Sequence, residues 1–178
     1  MLFRSVSGLG IFSTNVPTRS TDWPSALTIP GRSLQFAGSG SQQILRFDYT
    51  RYTGILDEDL TGSVYMKASA PVSVGIVFDW YALDGTHTSS STTNCSVTTS
   101  WTRFNITANP PAARAAVFAI VNPIGAHTLN VAAPQVEFGT SATAWELGGG
   151  STSVILDQLT SSSPLYPRSD VTMTLLEM

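Results

Sequence analysis

The strongest constraint on the fold is a stretch of ten residues in which apolar and polar side chains alternate. Its apolar positions are Val72, Val74, Ile76, Phe78 and Trp80, and between them lie Ser73, Gly75, Val77, Asp79 and Tyr81. Successive side chains of a β-strand point to opposite faces of the sheet, so the apolar set predicts one buried face. We therefore expect a central strand here, ended by the turn signal Asp84-Gly85.

The same reasoning predicts further strands and no helix. These strands cover residues 33–36, 43–48, 63–68, 102–108, 115–121 and 129–138. Residues 115–121 are continuously apolar, which is typical of a strand covered on both faces, and Pro134 indicates a bulge or an edge. Residues 87–93 are small and polar, so they form either an exposed loop or a weak edge strand. No helical spacing persists for three turns, and the fold class is therefore all-β.

The two ends of the chain differ from its middle. Residues 1–32 include a stretch with three prolines and Trp23, which predicts a long wrapping loop. Residues 1–147 would then form the sandwich, and residues 148–178 a Gly linker with a C-terminal β-arm. Two strands are expected in this arm, over 154–159 and 171–178. An isolated hairpin is marginal in water, so we expect a neighbouring subunit to cover the apolar positions Val154, Leu156, Val171, Met173 and Leu175.

Composition and charge exclude several classes of function. The net charge is −3 and no basic stripe is present, which argues against a nucleic-acid partner. No apolar run approaches the roughly 20 residues of a membrane span, and no secretory signal follows Met1, so we expect synthesis in a cytoplasm. Cys95 is the only cysteine, which excludes an internal disulfide and a cysteine-based metal site.

No catalytic residue, cofactor or metal is predicted from the titratable residues. His87 and His127 are interpreted as solvated loop residues without a serine or cysteine elbow. Asp79 and Asp84 are the only candidates for a pair of glycosidase carboxylates, and both are better explained as surface acids beside a turn. The acidic run 57–59 is interpreted as a solvated turn rather than a calcium site, because it lacks ligands at loop spacing.

Aromatic residues are the remaining candidates for a binding site. Flat rings can stack on the apolar face of a sugar, and Tyr65 and Tyr81 both lie in the outward phase of their predicted strands. We predict these two tyrosines as a glycan platform, with ordinary surface tyrosines as the alternative. Trp101 and Trp145 are expected to pack either against each other or at the rim of the core.

Three motifs give the chain a resemblance to a known family. The run 60–68, LTGSVYMKA, resembles a strand of jelly-roll modules related to carbohydrate-binding module families four and nine, and Ser100-Trp101-Thr102-Arg103 resembles their "xWTR" strand. The run 132–146 resembles their closing "AAQLEEGSTATPWE" signature. The resemblance covers about residues 33–147 and implies a jelly-roll β-sandwich. At the positions of this family's calcium-binding acids lie Ala132 and Ala133, so no calcium ion is expected.

Domains with this closing signature are common in tailed-phage minor tail proteins, and residues 170–177 resemble the C-terminal strand of some actinobacteriophage examples. The resemblance therefore implies a structural component of a virion that is not an enzyme. Its partners would be other virion proteins, copies of itself, and possibly a host glycan. Two alternatives stay open: a carbohydrate-binding adhesion module that contacts host surface glycan, and a capsid decoration protein.

Overall fold

The structure, a computed structural model, describes residues 10–12, 17–47, 52–53, 58–109, 113–146, 154–165 and 168–177. It describes the backbone alone for residues 10–12, 52–53, 154–165 and 168–177. Thirteen β-strands and no helix occur in the described residues, so these contain no helix that could span a membrane. The strands are β1 (Gly10–Phe12), β2 (Thr18–Ser20), β3 (Ser33–Ala37), β4 (Gln43–Arg46), β5 (Tyr52–Thr53), β6 (Leu60–Ala68), β7 (Val72–Tyr81), β8 (His87–Val97), β9 (Thr102–Ala108), β10 (Ala115–Asn122), β11 (Thr128–Phe138), β12 (Val154–Leu165) and β13 (Arg168–Glu177).

Two antiparallel sheets pack face to face and confirm the predicted jelly-roll sandwich. The six-stranded sheet has the order β1-β4-β10-β7-β8, and β5 also pairs with β10. The five-stranded sheet has the order β2-β3-β11-β6-β9. Apart from the consecutive pairs β7-β8 and β2-β3, the neighbours in these orders come from distant parts of the chain, as expected for a jelly roll.

The core lies between the two sheets and contains the predicted alternating residues. Trp80, Phe78 and Ile76 from β7 are fully buried, and the Phe78 ring centroid lies 5.1 Å from that of Trp80 and 5.3 Å from that of Phe118. The five-stranded sheet contributes Leu60, Val64, Met66 and Leu129. Period-two alternation therefore identified the inner face of both central strands correctly.

One sequence-based expectation needs correction, and one pair of alternatives is resolved in favour of the edge strand. The segment predicted as a wrapping loop contains the short strand β2, which pairs with β3. Residues 87–93 are part of β8, a strand of eleven residues at the edge of the six-stranded sheet, so the loop alternative is wrong. The predicted bulge at Pro134 is present: the pairing of β11 with β6 shifts between Ala132 and Gln135, and Ala133 has a φ of 50°.

The C-terminal strands β12 and β13 pair with each other as a two-stranded sheet. Both extend beyond the predicted bounds, and a bulge lies between Leu156 and Gln158. The bulge shifts the register, so that Leu156 pairs with Leu175, Leu159 with Met173 and Ser161 with Val171. The apolar positions predicted for the arm therefore occupy one phase of the pairing on both sides of the bulge.

Candidate functional site

The outer face of the six-stranded sheet carries an open groove of about 440 Å³. It runs over the middle of β7 and β8 and reaches β10. Ten residues line it: Gln42, Ser73, Gly75, Val77, Asp79, Ser90, Thr92, Asn94, Val121 and Pro123. None of them carries an aromatic ring, and most carry a hydroxyl, an amide or a small side chain.

The groove follows from the strand register and from one glycine. Gly75 pairs with Asn94 on one side and with Val121 on the other, so it forms the floor between β8 and β10. A Cβ atom built on Gly75 would lie 3.4 Å from Val121 Cβ and 3.6 Å from Thr92 Cγ2. The missing side chain therefore leaves the space between the neighbouring strands open.

A polar cluster closes one end of the groove around Asp79. Arg46 Nη2 lies 3.2 Å from Asp79 Oδ2, and Ser90 Oγ donates a hydrogen bond of 2.8 Å to Asp79 Oδ1. Arg46 belongs to β4 and Asp79 to β7, and β10 lies between these strands, so the ion pair crosses β10. Asp79 was expected to be a surface acid beside a turn. It lies within β7 instead, with only 14 % of its side chain exposed.

His87 lies beside Ser90 and Asp79, so a histidine, a serine and an aspartate come together here. The sequence did not predict this group. His87 Nε2 lies 3.1 Å from Ser90 Oγ and 3.9 Å from Asp79 Oδ1. In a hydrolytic triad the serine hydroxyl faces the histidine, and the carboxylate holds the other imidazole nitrogen. Here the carboxylate and the imidazole both contact Ser90, and Ser90 directs its proton to Asp79. The cluster has the geometry of a hydrogen-bonded bridge rather than a proton relay.

Tyr65 and Tyr81 do not form one surface, so the prediction of a single platform built from both rings is wrong. Tyr81 lies on β7, on the same face as the groove, with its ring centroid 5.4 Å from that of His87. Tyr65 lies on β6 in the other sheet, where Arg103 Cζ is 5.9 Å from its ring centroid. The two rings therefore face away from each other across the sandwich. Whether either ring contacts a glycan stays a prediction.

The outer face of the five-stranded sheet is covered by two segments of the chain. Asp22 accepts hydrogen bonds from Lys67 Nζ at 2.6 Å, from Trp101 Nε1 at 2.9 Å and from Asn130 Nδ2 at 3.1 Å. These bonds, led by the one from Lys67, hold the pKa of Asp22 below its ordinary value of 3.8, although partial burial opposes them. Sequence reasoning missed Asp22, because its partners are far away in the chain.

The second covering segment is residues 139–146, part of the closing signature. Thr143 donates through its N and Oγ1 atoms to the two carboxylate oxygens of Glu137, at 2.8 and 2.7 Å. Trp145 packs edge-on against Trp23, with 5.9 Å between ring centroids. Trp145 thus joins the two covering segments rather than packing on Trp101.

The other titratable residues fall outside the groove. His127 was expected to be solvated, but it is buried, and its Nε2 lies 2.7 Å from Asn122 Oδ1. Asp84 is an exposed turn residue that accepts a hydrogen bond from the Thr86 N–H, as expected. Cys95 is buried, and burial raises the pKa of its thiol from 9.0 to about 11.

The described residues contain no group of three or more His, Cys, Asp or Glu side chains that could hold a metal ion. Asp57, the first residue of the acidic run, lies outside the described residues. Glu58 is exposed, and the Asp59 carbonyl accepts a hydrogen bond of 2.8 Å from the Gly139 N–H. This part of the run acts as a structural connection.

Comparison with known proteins relates the fold to carbohydrate-binding proteins. No protein-family model and no curated protein sequence matches the chain. A xylan-binding domain (CBM22-1) from Paenibacillus barcinonensis superposes with a TM-score of 0.57 at 13 % identity, over 78 % of this chain and 90 % of that one. The chain has the jelly-roll fold of carbohydrate-binding modules.

Two further solved structures are similar. A family 11 carbohydrate-binding module from Clostridium thermocellum has a TM-score of 0.52 at 10 % identity, over 79 % of this chain and 93 % of that one. The enzymatically active domain of tailspike protein 4 of bacteriophage CBA120 has a TM-score of 0.60 at 12 % identity, over 75 % of this chain. The jelly roll spans only 20 % of that tailspike chain.

Proposed function

We propose that this protein is a non-catalytic carbohydrate-binding module in the tail of a tailed bacteriophage, where it contacts a glycan on the host surface. The observation that carries the proposal is the open polar groove over β7 and β8 in a jelly roll with the fold of carbohydrate-binding modules. Its C-terminal arm would join the module to other virion proteins or to copies of itself.

The groove supports glycan binding through its shape and its chemistry. Sugar hydroxyl groups both donate and accept hydrogen bonds, and the groove presents Ser90, Thr92 and Asn94 in a row along the edge strand β8. Tyr81 lies beyond Asp79 on the same face and offers a ring next to this row. On the opposite outer face, residues 17–32 and 139–146 hydrogen bond to side chains of the sheet through Asp22 and Thr143.

The tail location is supported by the sequence and by one structural similarity. The run 132–146 resembles the closing signature common in minor tail proteins, and the structure of a tailspike domain from bacteriophage CBA120 shares the fold. Tail proteins that reach the host first need both a site for surface glycan and a means of assembly. A binding groove and a separate β-arm in one chain fit this combination.

The proposal that the arm binds a neighbouring subunit is supported by the way β12 pairs with β13. The pairing of β12 with β13 brings Leu156 opposite Leu175 and Leu159 opposite Met173. Such apolar pairs in a two-stranded sheet need a covering surface, because a hairpin alone buries too little to be stable. The surface proposed here belongs to a neighbouring subunit of the tail.

Glycan binding is tested by calorimetric titration of the purified protein with host surface polysaccharide. The matched variants are Tyr81→Ala, at the end of the groove, and Tyr65→Ala, on the covered sheet. Loss of one aromatic contact, worth about 1 to 1.5 kcal/mol, should weaken binding about tenfold for Tyr81→Ala and leave Tyr65→Ala unchanged. No binding by the unsubstituted protein, or equal losses in both variants, would contradict the proposal.

Assembly is tested by deletion of residues 151–178 in the phage genome. Particles should then lack the protein, while the truncated protein should still fold and bind glycan in isolation. Normal incorporation of the truncated protein would remove the arm from the proposal. Immunogold labelling of intact particles locates the protein, and label on the capsid rather than the tail would favour a decoration protein.

A further inference from the structure

The hydrogen-bonding groups of the groove form a regular row on β8. Ser90, Thr92 and Asn94 occupy alternate positions of an edge strand, so their side chains lie on the same face. Each is paired in register with a residue of β7, Ser90 with Asp79, Thr92 with Val77 and Asn94 with Gly75. Within the described part of the chain, the Thr92 hydroxyl and the Asn94 amide hydrogen bond to no other side chain.

The charges in the groove compensate each other. Asp79 is the one ionisable residue among those lining the groove, and its partner Arg46 lies 3.2 Å away. The guanidinium is therefore already engaged by a carboxylate, and the remaining lining groups are neutral amides, hydroxyls and alkyl groups. An anionic ligand would lie close to the Asp79 carboxylate, and no lining residue of the groove would supply a positive charge to balance the charge of the ligand.

We infer that the groove selects an uncharged glycan, which lies along β8 and is held by hydrogen bonds from Thr92 and Asn94, with Gly75 as the position that admits it. This inference rests on the proposed function and adds the class of glycan and the residues that select it. Hydroxyl and amide side chains match the hydroxyl groups of a neutral sugar, since each can donate and accept.

Gly75 determines whether the chain of sugars fits. The space above it is bounded by Val121 Cβ and Thr92 Cγ2, at 3.4 and 3.6 Å from the position of an added Cβ. A single methyl group would make ordinary van der Waals contacts there. The two γ-methyl groups of valine would extend above these contacts and raise the floor of the groove.

Two variants and one control test the inference. Gly75→Val fills the groove, and Asn94→Ala removes one amide from the row. Asn105→Ala is the control, because Asn105 is also an exposed strand asparagine but lies on β9 of the other sheet. Binding is measured by affinity electrophoresis and calorimetry against neutral polymers (mannan, dextran and arabinogalactan) and acidic polymers (alginate and polygalacturonate).

The inference predicts binding to at least one neutral polymer and none to the acidic ones. Gly75→Val and Asn94→Ala should each weaken that binding roughly tenfold or more, with Asn105→Ala unchanged. If Gly75→Val lowers the thermal midpoint by more than about 5 °C, its loss of binding no longer separates a filled groove from unfolding. The binding affinity of Asn94→Ala then tests the inference, since a surface substitution of this kind leaves stability nearly unchanged.

The possible failures are distinguishable. Tight binding to acidic polymers only, or neutral binding that neither variant weakens, overturns the inference and leaves glycan binding itself intact. Absence of binding to every polymer in the panel and to host surface polysaccharide overturns the proposed function and the inference together.

Discussion

Asp22 and Lys67 form an ion pair of 2.6 Å that ties the segment before β3 to the outer face of the five-stranded sheet. Asn130 on β11 and Trp101 before β9 donate to the same carboxylate. One side chain thus connects the N-terminal segment to three separate parts of the sandwich. This connection holds the N-terminal segment over the outer face of the five-stranded sheet, on the side of the sandwich opposite the groove.

Replacement of Asp22 by asparagine should reduce stability at neutral pH and remove part of its acid dependence. The folded-state pKa of Asp22 is below 3.8, chiefly because of the hydrogen bond from Lys67. A lowered pKa means that the ionised carboxylate stabilises the folded state. This stabilisation is complete well above pH 3.8 and is lost as the pH falls through the folded-state pKa.

Thermal midpoints measured from about pH 6 to about pH 2.5 provide the test. The difference between the unsubstituted protein and Asp22→Asn should be largest at the upper end and should narrow in acid. Glu58→Gln, which changes an exposed carboxylate, serves as control. A difference that stays constant over the whole range would mean that the ionised form of Asp22 contributes nothing.

The sequence alone predicts the buried face of the core strands, but it does not predict the groove. Burial of one face leaves an apolar residue at every second position, so Ile76, Phe78 and Trp80 can be identified locally. The groove depends on which strands become neighbours of β7, and those pairings join residues that are far apart in the chain. No local pattern predicts that Gly75 lies between Asn94 and Val121.

Polar residues with distant partners are hidden for the same reason. His127 follows Gly125 and Ala126 in a turn-like run, which is why it was interpreted as solvated. It is buried instead and contacts Asn122, whose side-chain amide donates to Gln43 Oε1 at 3.0 Å, 79 residues away in the chain. The partners of Asp22 lie 45 to 108 residues away. Only the three-dimensional arrangement reveals such contacts.

The two buried strand glycines Gly62 and Gly75 should respond in opposite ways to alanine. A Cβ on Gly62 would lie 2.6 Å from Phe118 Cε2 and 2.8 Å from Phe78 Cζ, so the core must shift. We expect Gly62→Ala to cost about 1–3 kcal/mol of unfolding free energy. Gly75→Ala makes only ordinary contacts and should be neutral or stabilise by up to about 1 kcal/mol. Urea unfolding measures both, and equal effects would contradict this difference between the two glycines.

The thiol of Cys95 should be nearly unreactive in the folded protein. Burial raises its pKa from 9.0 to about 11, so the thiolate that reacts is about 100-fold scarcer at pH 8 than for an unperturbed thiol. Labelling with a chromogenic disulfide should therefore be slower by at least that factor than in urea-denatured protein. Comparable rates in the two states would show that Cys95 is accessible.

Replacement of Thr143 by valine should loosen the segment that covers the five-stranded sheet. Thr143 Oγ1 donates to Glu137 Oε2 at 2.7 Å and accepts from Gln135 Nε2 at 3.1 Å. Valine keeps the shape but removes both bonds, and Glu137 and Gln135 are buried, so the loss should cost about 1–2 kcal/mol of unfolding free energy.

Amide hydrogen exchange should localise this change to residues 139–146, since Trp145 and its contact with Trp23 belong to the same cover. Thr140→Val is the matched control, because Thr140 is exposed and takes part through its carbonyl, which accepts from Thr107 Oγ1 at 3.4 Å. Glycan binding in the groove on the opposite sheet should be unaffected by either variant. Equal stability losses in both would mean that the Glu137–Thr143 contact does not hold the cover in place.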